Sequence, residues 1–494
     1  MYWTKIACLL SLILSTSSQV TQGELTVHKT ANQVDELVQA VIIFSEGIST
    51  PPKSDYSVNR HWTQRVGYGN LDPKGKEQLK LLGIQMRKSL HNYSEQFEER
   101  DMAIYTQDKN NSIVGSYFFA QGFLAKVAQT ENPIPYTTAQ TAAESTKAPD
   151  TPISLSEFTF LDVPVVTNHR RYDPVLMPFG PTCPNLLMNQ QRFNEQMEFR
   201  ERSNYHSEFL SDFNKRVFVD TRLTIDTLEQ ATVFHEYLTA EKAITGSNEI
   251  PIKKTDLDNL GQIQSFYRYF EHFYDPQLKM SGVALLLQQI KKDFSEKSHI
   301  QFNIDSDKES LLRSHKDVQV TAYSVSEASI ANFLLMMNIT SLACTTFKTN
   351  LSQPECLPWP GFGHNLRIEL LRNRTTEVLS VKFFYQDELI LVNSTGSKDG
   401  HSNLTQVFQL FDSYTLERFN SFCGAEWLIG KKAVQTFMGL VFFNIIFIGV
   451  SVMLLVILIF MKVKINSLKL AKELIDSDSN KIEEGNSPQK EENL

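Results

Sequence analysis

The feature that most restricts the fold of this chain is an uncharged run of 25 residues, Phe437 to Met461, near its C-terminal end. At about 1.5 Å per residue, a helix of that length exceeds the ~30 Å hydrocarbon core of a bilayer. Asn444 is its one strongly polar side chain, so the run lacks the polar stripe of a buried soluble helix. We therefore expect residues 437–461 to form a transmembrane helix.

The residues at either end of the chain indicate how that helix is oriented. Residues 1–23 are typical of a secretory signal peptide, because a positive charge precedes an apolar segment and small polar residues follow. Lys462 and Lys464 directly follow the apolar run, as is typical of a cytosolic flank. We therefore expect a type I protein of the secretory pathway, at the plasma membrane, an endosome or a lysosome. Its tail, residues 462–494, is expected to be cytosolic and partly disordered, because its end is acidic and polar.

The segment between signal peptide and membrane carries many Asn-x-Ser/Thr sequons, which suits a glycosylated lumenal or extracellular ectodomain. The predicted glycosylation sites are Asn92, Asn110, Asn338, Asn350, Asn373, Asn393 and Asn403.

Cysteine usage agrees with an oxidising compartment. One of the five cysteines leaves with the signal peptide, and an even number remains. An even count in a secreted domain predicts disulfides, here two. The local pairing joins Cys344 to Cys356 and leaves Cys183 with Cys423, but three pairings are open and the spacing does not select one.

The composition of the chain argues against several function classes. A net charge of −8 does not suit a nucleic-acid binder, which needs a concentrated basic face. The chain has no GxxxxGK[ST], HExxH or CxxC motif, so we predict no cofactor and no metal site.

Strand and helix patterns alternate in the ectodomain. An apolar run at Ala40–Phe44 predicts a buried strand, and apolar positions in Leu71–Leu90 recur at helical spacing. A strand at Asp101–Asp108 and a helix at Ser112–Leu124 follow. This order predicts an α/β fold with a doubly wound, mainly parallel sheet and helices on both faces.

The pattern changes in residues 183–290, where charged and aromatic residues alternate at helical spacing, so we predict an inserted helical cap. The α/β core would then comprise residues 24–182 and 291–427. After the cap, we predict a strand at Val318–Val325 with a helix directly after it. Three further strands are predicted at Leu366–Leu371, Val378–Gln386 and Asp387–Val392, and the last two could pair as a hairpin. A final helix is predicted at Thr415–Phe422.

Two strand-to-helix loops carry glutamates in similar contexts, Glu46 after the first strand and Glu327 after the strand at Val318–Val325. Loops at the carboxyl ends of parallel strands converge on one crevice, so the two carboxylates could face each other. The alternative is that they cap helices. Ser326 is a plausible N-cap, and Glu327 would then lie in the first turn, where the helix dipole favours it.

The series of motifs resembles the histidine acid phosphatases, in particular the membrane-anchored lysosomal and prostatic type. The signature of that family, Arg-His-Gly-x-Arg-x-Pro, follows a buried strand, and the matching stretch here is Ser45 to Pro51. "YSVSEASI" (Tyr323 to Ile330) is similar to the Tyr-Ser-Ala-His-Asp-Thr-Thr segment of the family. The resemblance covers residues 38 to about 427. It implies a phosphoglycerate-mutase-like fold and a bridge between Cys183 and Cys423.

The catalytic residues of that family are replaced in this chain. Glu46 stands where the family has its nucleophilic histidine. Three phosphate-binding arginines correspond to Ser45, Ser49 and Tyr105. The histidine–aspartate pair of the later loop corresponds to Ser326 and Glu327.

These replacements predict the loss of phosphatase activity. Phosphoryl transfer depends on positioning and on cations that stabilise the phosphoryl oxygens, and each charge–charge interaction at 4 Å is worth ~4 kcal/mol at an effective dielectric of about 20. We therefore expect a pseudophosphatase: a type I membrane glycoprotein that binds a lumenal protein, glycan or small ligand. A homodimer is a further option for its assembly.

The alternative is an acid hydrolase. Glu46 and Glu327 could work as a carboxylate pair, as in glycosidases. Residual phosphatase activity could instead use residues of the loop after Pro52, namely Arg60, His61 or Arg65.

Overall fold

The structure is a computed structural model that describes residues 35–484. The description omits residues 57–65, 92, 94–96, 126–162, 170–172, 174, 178–191, 220–222, 299–317, 342–356, 393–394, 396–398 and 415–429. The predicted signal peptide, all four ectodomain cysteines and the predicted helix at 415–422 therefore lie outside the described residues. So do the sequons at 92, 350 and 393 and the loop residues Arg60, His61 and Arg65.

An eight-stranded sheet forms the centre of the ectodomain, with the strand order β3-β2-β4-β1-β5-β6-β7, and β8 pairs with β6. The strands are β1 Asp35–Ser45, β2 Met102–Thr106, β3 Val165–Thr167, β4 Val320–Val325, β5 Asn365–Asn373, β6 Leu379–Tyr385, β7 Glu388–Ile390 and β8 Ser402–Asn403. The sheet is mixed. Strands β1 to β4 are parallel, as predicted, and β5 to β8 add antiparallel pairs, including the predicted hairpin.

Nine helices are described. They are α1 Pro73–Leu90, α2 Asn110–Leu124, α3 Met197–Val217, α4 Leu228–Thr245, α5 Lys254–Phe273, α6 Pro276–Ser298, α7 Glu327–Met336, α8 Leu404–Asp412 and α9 Gly430–Glu484. Local signals explain where several begin. Asp72 accepts a hydrogen bond from Lys74 N at the start of α1, where Pro73 occupies the first helical position.

Strand β1 is buried on both faces of the sheet, which explains its continuous apolar sequence. Val41 and Ile43 pack into one hydrophobic cluster with residues of α6, α7 and α8. Ile42 and Phe44 point the opposite way, into a second cluster with α1 and α2. Helices therefore cover both faces, as the sequence predicts.

Helices α1 and α2 approach closely because glycines lie at their contact. A Cβ at Gly83 would overlap the Phe119 carbonyl, and a Cβ at Gly122 would overlap the Lys80 carbonyl. The two backbones are thus in direct contact, which fixes how both helices lie on the sheet beside β1 and β2.

The helices α3, α4 and α5, called the cap below, enclose an aromatic cluster that Ile48 and Tyr56 also join. Helix α6 differs, because Val283, Leu287 and Phe294 pack into the cluster on the sheet. Residue 290, where the predicted helical insertion ends, lies within α6.

Helix α9 contains the predicted membrane segment. Its stretch Ile446–Glu473 is long and apolar enough to cross a membrane, with a mean hydropathy of 2.8 in its most apolar window and no side chain of that window buried. The helix continues past Met461 to Glu484. The chain thus has a helix consistent with a single membrane span.

Candidate functional site

The predicted crevice lies where β1, β2 and β4 end and β5 begins. The pairing brings Ser45 opposite Val325, and Thr106 opposite Ser324. Four segments form the crevice: Ser45–Gly47, Thr106–Lys109, Ser326–Glu327 and Gly361–His364. Main-chain hydrogen bonds join two of them, Ser45 N to His364 O and Gly363 N to Glu46 O, each at 2.8 Å.

Contacts with helix α1 hold the two loops of β1 and β5 in place. A Cβ at Gly47 would lie 2.6 Å from the Gly75 carbonyl oxygen, so this loop packs backbone to backbone on α1. Gln78 then joins both loops: its Oε1 accepts from Ile48 N at 3.0 Å, and its Nε2 donates to Phe362 O at 2.9 Å. The crevice is therefore preformed.

Glu46 is the most fully bonded side chain of the crevice. Its carboxylate accepts hydrogen bonds from Ser112 Oγ at 2.9 Å and from Asn111 Nδ2, both in the first turn of α2. Lys109 Nζ lies 3.4 Å away and forms an ion pair with it. The carboxylate is 11% exposed and the lysine 42%. A carboxylate at a helix N-terminus is also favoured by the helix dipole.

Glu327 lies in the first turn of α7, beside Glu46 across the β1–β4 pair. Burial, and next the charge of Glu46, raise the pKa of Glu327 to about 7. Lys109 opposes this shift, and Glu236 of the cap adds to it. Ser326 occupies the N-cap position, but its Oγ contacts Ser329 Oγ at 3.3 Å instead of capping. Glu327 is thus a first-turn residue, as one interpretation of the sequence has it, but the Ser326 side chain makes no capping hydrogen bond.

The other predicted site residues lie nearby but have partners in the protein. Ser45 is fully buried and donates to Gly361 O at 2.8 Å. Ser49 Oγ donates to Gly47 O at 2.8 Å. Tyr105 is buried on β2 and stacks on Tyr323, with ring centroids 5.6 Å apart. Tyr105, which the resemblance aligns with a phosphate-binding arginine, is thus part of an aromatic contact within the sheet.

Sequence reasoning missed His364, which precedes β5 at the same end of the sheet. His364 Nδ1 lies 2.7 Å from the hydroxyl of Tyr385 on β6. Burial lowers the pKa of His364 to about 4. The available signal was weak: a histidine at the start of a predicted strand, two residues before Leu366. Only the antiparallel placement of β5 beside β1 brings it to the crevice.

The cap faces the crevice with a second charged group. Arg268 on α5 binds Glu236 of α4 through Nε and Nη2, at 2.8 and 3.0 Å, and Glu271 through Nη1 at 3.0 Å. Beside it, Trp359 stacks on His272, with centroids 5.6 Å apart. The guanidinium is thus fully engaged by two carboxylates.

The described sequons lie at the surface or near it. Asn110 and Asn338 are exposed, and Asn110 Nδ2 donates to Asn70 Oδ1 at 3.2 Å. Asn403 caps α8 through its Oδ1, and Asn373 Oδ1 accepts from Thr375 N and Thr376 N. Asn110 is the one next to the crevice, because its neighbours Asn111 and Ser112 bind Glu46.

The arrangement places Glu46, which is bonded to Lys109, Asn111 and Ser112, next to Glu327, whose pKa burial and the charge of Glu46 raise to about 7. Among the described residues, no group of three His, Cys, Asp or Glu side chains could hold a metal ion. Among the described residues that form the crevice, Lys109 is the cationic one, and it is paired with Glu46.

Solved structures with the same fold are phytases. Hafnia alvei phytase in complex with myo-inositol hexakis sulphate has a TM-score of 0.52 at 14% identity, over 78% of this chain and 99% of the phytase. The tartrate complex of the same enzyme gives 0.51 at 13% identity, with the same coverage. The phytase from D. castellii gives 0.52 at 13% identity, over 79% of this chain and 82% of that one.

At such low identity these likenesses show the fold alone. No curated protein gives a significant match. The model of the histidine phosphatase superfamily (branch 2), however, matches residues 15–386, well over half of the chain. With the order of strands, the cap and the position of the crevice, this match shows that the chain belongs to the histidine phosphatase superfamily, branch 2.

Proposed function

We propose that this ectodomain binds a ligand in its crevice and does not hydrolyse phosphate esters, and that α9 anchors it as a type I membrane glycoprotein. The observation that carries the proposal is the bonding of Glu46. A carboxylate held by Lys109, Asn111 and Ser112 stands where the family has its nucleophilic histidine. It would repel a phosphate dianion rather than attack it.

The charge balance of the crevice supports this proposal. A phosphatase of this kind stabilises the phosphoryl oxygens with several cations. Here Lys109 is paired with Glu46, and Arg268 of the described cap is held by Glu236 and Glu271. A phosphate would have to break these pairs, and at ~4 kcal/mol for each charge–charge interaction the exchange is unfavourable.

The contacts of the two loops support a binding role. Gln78 and the glycine contacts keep both loops in place although the side chains typical of the family are replaced. Loops that are already held in place need little ordering when a ligand binds, which favours affinity.

The test is an assay of the purified full chain in detergent with p-nitrophenyl phosphate from pH 4 to 7, with and without Mg²⁺, beside a phytase of the same superfamily. We expect no turnover above the detergent blank. Turnover that vanadate inhibits, and that Glu46→Gln removes, would overturn the proposal. Vanadate-sensitive turnover that is equal in the wild type and in Glu46→Gln would overturn it as well, and would point to Arg60, His61 or Arg65 of the loop after Pro52.

A second candidate is a hydrolase that uses Glu327 as acid and Glu46 as base or nucleophile. The observation in its favour is the pKa of Glu327, which burial and the charge of Glu46 raise to about 7, as a general acid at endosomal pH requires. Assays of p-nitrophenyl glycosides at pH 5 test it. Turnover that is lost in Glu327→Gln would support this candidate, and its absence with every glycoside would end it.

A further inference from the structure

The pair His364 and Tyr385 lies at the crevice and has no part in the family mechanism. The carbonyl of His364 accepts from Ser45 N at 2.8 Å, so the residue adjoins the first crevice segment. Its ring is held by Tyr385, with Nδ1 2.7 Å from the phenol oxygen and ring centroids 5.8 Å apart. A histidine fixed in this way presents its other nitrogen in a defined direction.

Burial keeps both partners of this pair uncharged. It raises the pKa of Tyr385, so the phenol keeps its proton. It also lowers the pKa of His364 to about 4, which leaves the imidazole neutral at higher pH. Each nitrogen of a neutral imidazole either donates or accepts one hydrogen bond, depending on the tautomer. Nε2 can therefore bind a hydroxyl group, which serves in both roles.

Nε2 of His364 is left open by a glycine. A methyl group at residue 361 would lie 3.4 Å from Nε2, so Gly361 leaves that space empty. Within the part of the chain that the structure describes, Nε2 has no hydrogen-bond partner. The carbonyl of Gly361 accepts from Ser45 Oγ, so the open space adjoins the crevice.

The remaining chemistry of the crevice favours an uncharged partner. Lys109 neutralises Glu46, while Glu327 can hold a proton and then both donate and accept hydrogen bonds. The half-buried ring of Trp359 lies two residues before Gly361 on the same loop and packs against Tyr269 and His272 of α5. Aromatic rings beside a few fixed polar groups are typical of small-ligand sites.

We propose that Nε2 of His364 forms a hydrogen bond with a hydroxyl of an uncharged sugar residue bound in the crevice. This inference rests on the proposed binding function and names its ligand class. A sugar hydroxyl can donate to Nε2 or accept from it, a hydroxyl can also donate to Glu46, and a sugar ring needs none of the cations that a phosphate requires.

The test uses saturation-transfer-difference NMR on the full chain in detergent at pH 5.5, with the neutral methyl glycosides of glucose, galactose, mannose and N-acetylglucosamine as probes. We expect transfer to at least one glycoside. Gly361→Ala should reduce it at least tenfold, because the added methyl covers Nε2. Inorganic phosphate at equal concentration should not displace the glycoside.

A second glycine provides a matched control. A methyl at residue 261, within the cap, would lie 3.3 Å from Nε2 of His235, nearly the same contact. Gly261→Ala should therefore leave the transfer unchanged. A melting curve of each variant confirms that it is folded, and His364→Gln serves as a second variant with the same expected loss.

Three outcomes would overturn the inference: no transfer to any of the glycosides, transfer that Gly361→Ala leaves intact, or displacement by phosphate. The proposed function fails in a different experiment, by vanadate-sensitive turnover of p-nitrophenyl phosphate. If the chain shows neither turnover nor saturation transfer, the proposed function therefore still stands and the proposal of a sugar ligand is wrong.

Discussion

The cap and the crevice each have a charged group made of one cation and two glutamates, but the cation is bonded differently in the two groups. In the cap, Arg268 bridges Glu236 and Glu271 through three nitrogens. In the crevice, Lys109 reaches Glu46 alone, at 3.4 Å. Glu327 is left with a neighbouring carboxylate and a pKa that burial and this neighbour raise to about 7.

The difference follows from the shape of the two cations. A guanidinium is a planar group with five donors and can serve two carboxylates at once, whereas an ammonium is a point charge on a flexible stem. The cap group therefore acts as a structural link between α4 and α5. The crevice group keeps one carboxyl free to exchange its proton with solvent or ligand.

The largest effect is expected from breaking the cap group. Arg268→Met leaves Glu236 and Glu271 unpaired next to each other. We expect a loss of about 2–3 kcal/mol in the free energy of unfolding, below the ~3–5 kcal/mol of a fully buried pair because these side chains are partly exposed. Urea unfolding of the full chain in detergent measures it.

The matched control for Arg268→Met is Lys215→Met, which removes the exposed pair with Asp212. That change should cost less than ~0.5 kcal/mol. Equal losses in both variants would mean that an arginine bridging two carboxylates contributes no more to the free energy of unfolding than an exposed ion pair does.

The next effect concerns the pH dependence of stability. The folded pKa of Glu327 is about 7 against 4.5 for the free group, so folding favours its protonated form. This contribution is fully present below pH 4.5 and is lost as the pH rises through 7. Glu327→Gln keeps a neutral side chain at every pH, so we expect it to be more stable than the wild type by about 1–2 kcal/mol at pH 8 and equal to it near pH 4.5.

Urea unfolding at the two pH values checks this prediction. Glu99→Gln, in a short 3-10 turn without buried residues, is the control and should change neither value. A constant difference between wild type and Glu327→Gln across the pH range would contradict the assignment.

The smallest effect is expected from replacing Lys109, the cation of the crevice. Lys109 lowers the pKa of Glu327, so Lys109→Met should raise that pKa and cost about 0.5–1 kcal/mol, since the lysine is 42% exposed. Lys109→Arg should lower the pKa, because a guanidinium can bridge both glutamates as it does in the cap.

Titration of the side-chain carboxyl carbons, with Glu327→Gln to assign the signal, measures both shifts. Shifts of the same sign in Lys109→Met and Lys109→Arg would show that the shape of the cation does not explain the contrast between the two groups.

Most strands and helices of the core could be predicted because their hydrophobic periods are clear. The run Ala40–Phe44 lies within β1, and the predicted helix Ser112–Leu124 differs from α2 by two residues at its start. The strand at Val318–Val325 begins two residues later, at Val320. Buried strands and amphipathic helices leave these patterns wherever they occur in a fold.

The role of α6 could not be predicted in this way. Its sequence has the same helical spacing as the cap helices, and local periodicity does not tell against which surface a helix packs. The burial of Val283, Leu287 and Phe294 against the sheet follows from tertiary packing alone.

The crevice was predicted in part. Parallel strands place Glu46 and Glu327 at one edge, and that rule is independent of sequence detail. The partners of Glu46 could not be predicted. In the sequence, Asn111 and Ser112 belong to a sequon and to the start of a predicted helix, and neither pattern indicates a contact with Glu46. His364 was missed because its position depends on an antiparallel strand that enters the sheet from the far end of the chain.

The contacts of the first loop with α1 have a consequence for how such a chain changes over generations. Gly47 and Gly75 hold that loop by a backbone contact, and the side-chain amide of Gln78 accepts from Ile48 N, so none of these contacts involves the side chain of Glu46. A lineage can therefore exchange the group at residue 46 while the loop keeps its position. The scaffold and the chemistry that it displays can vary separately.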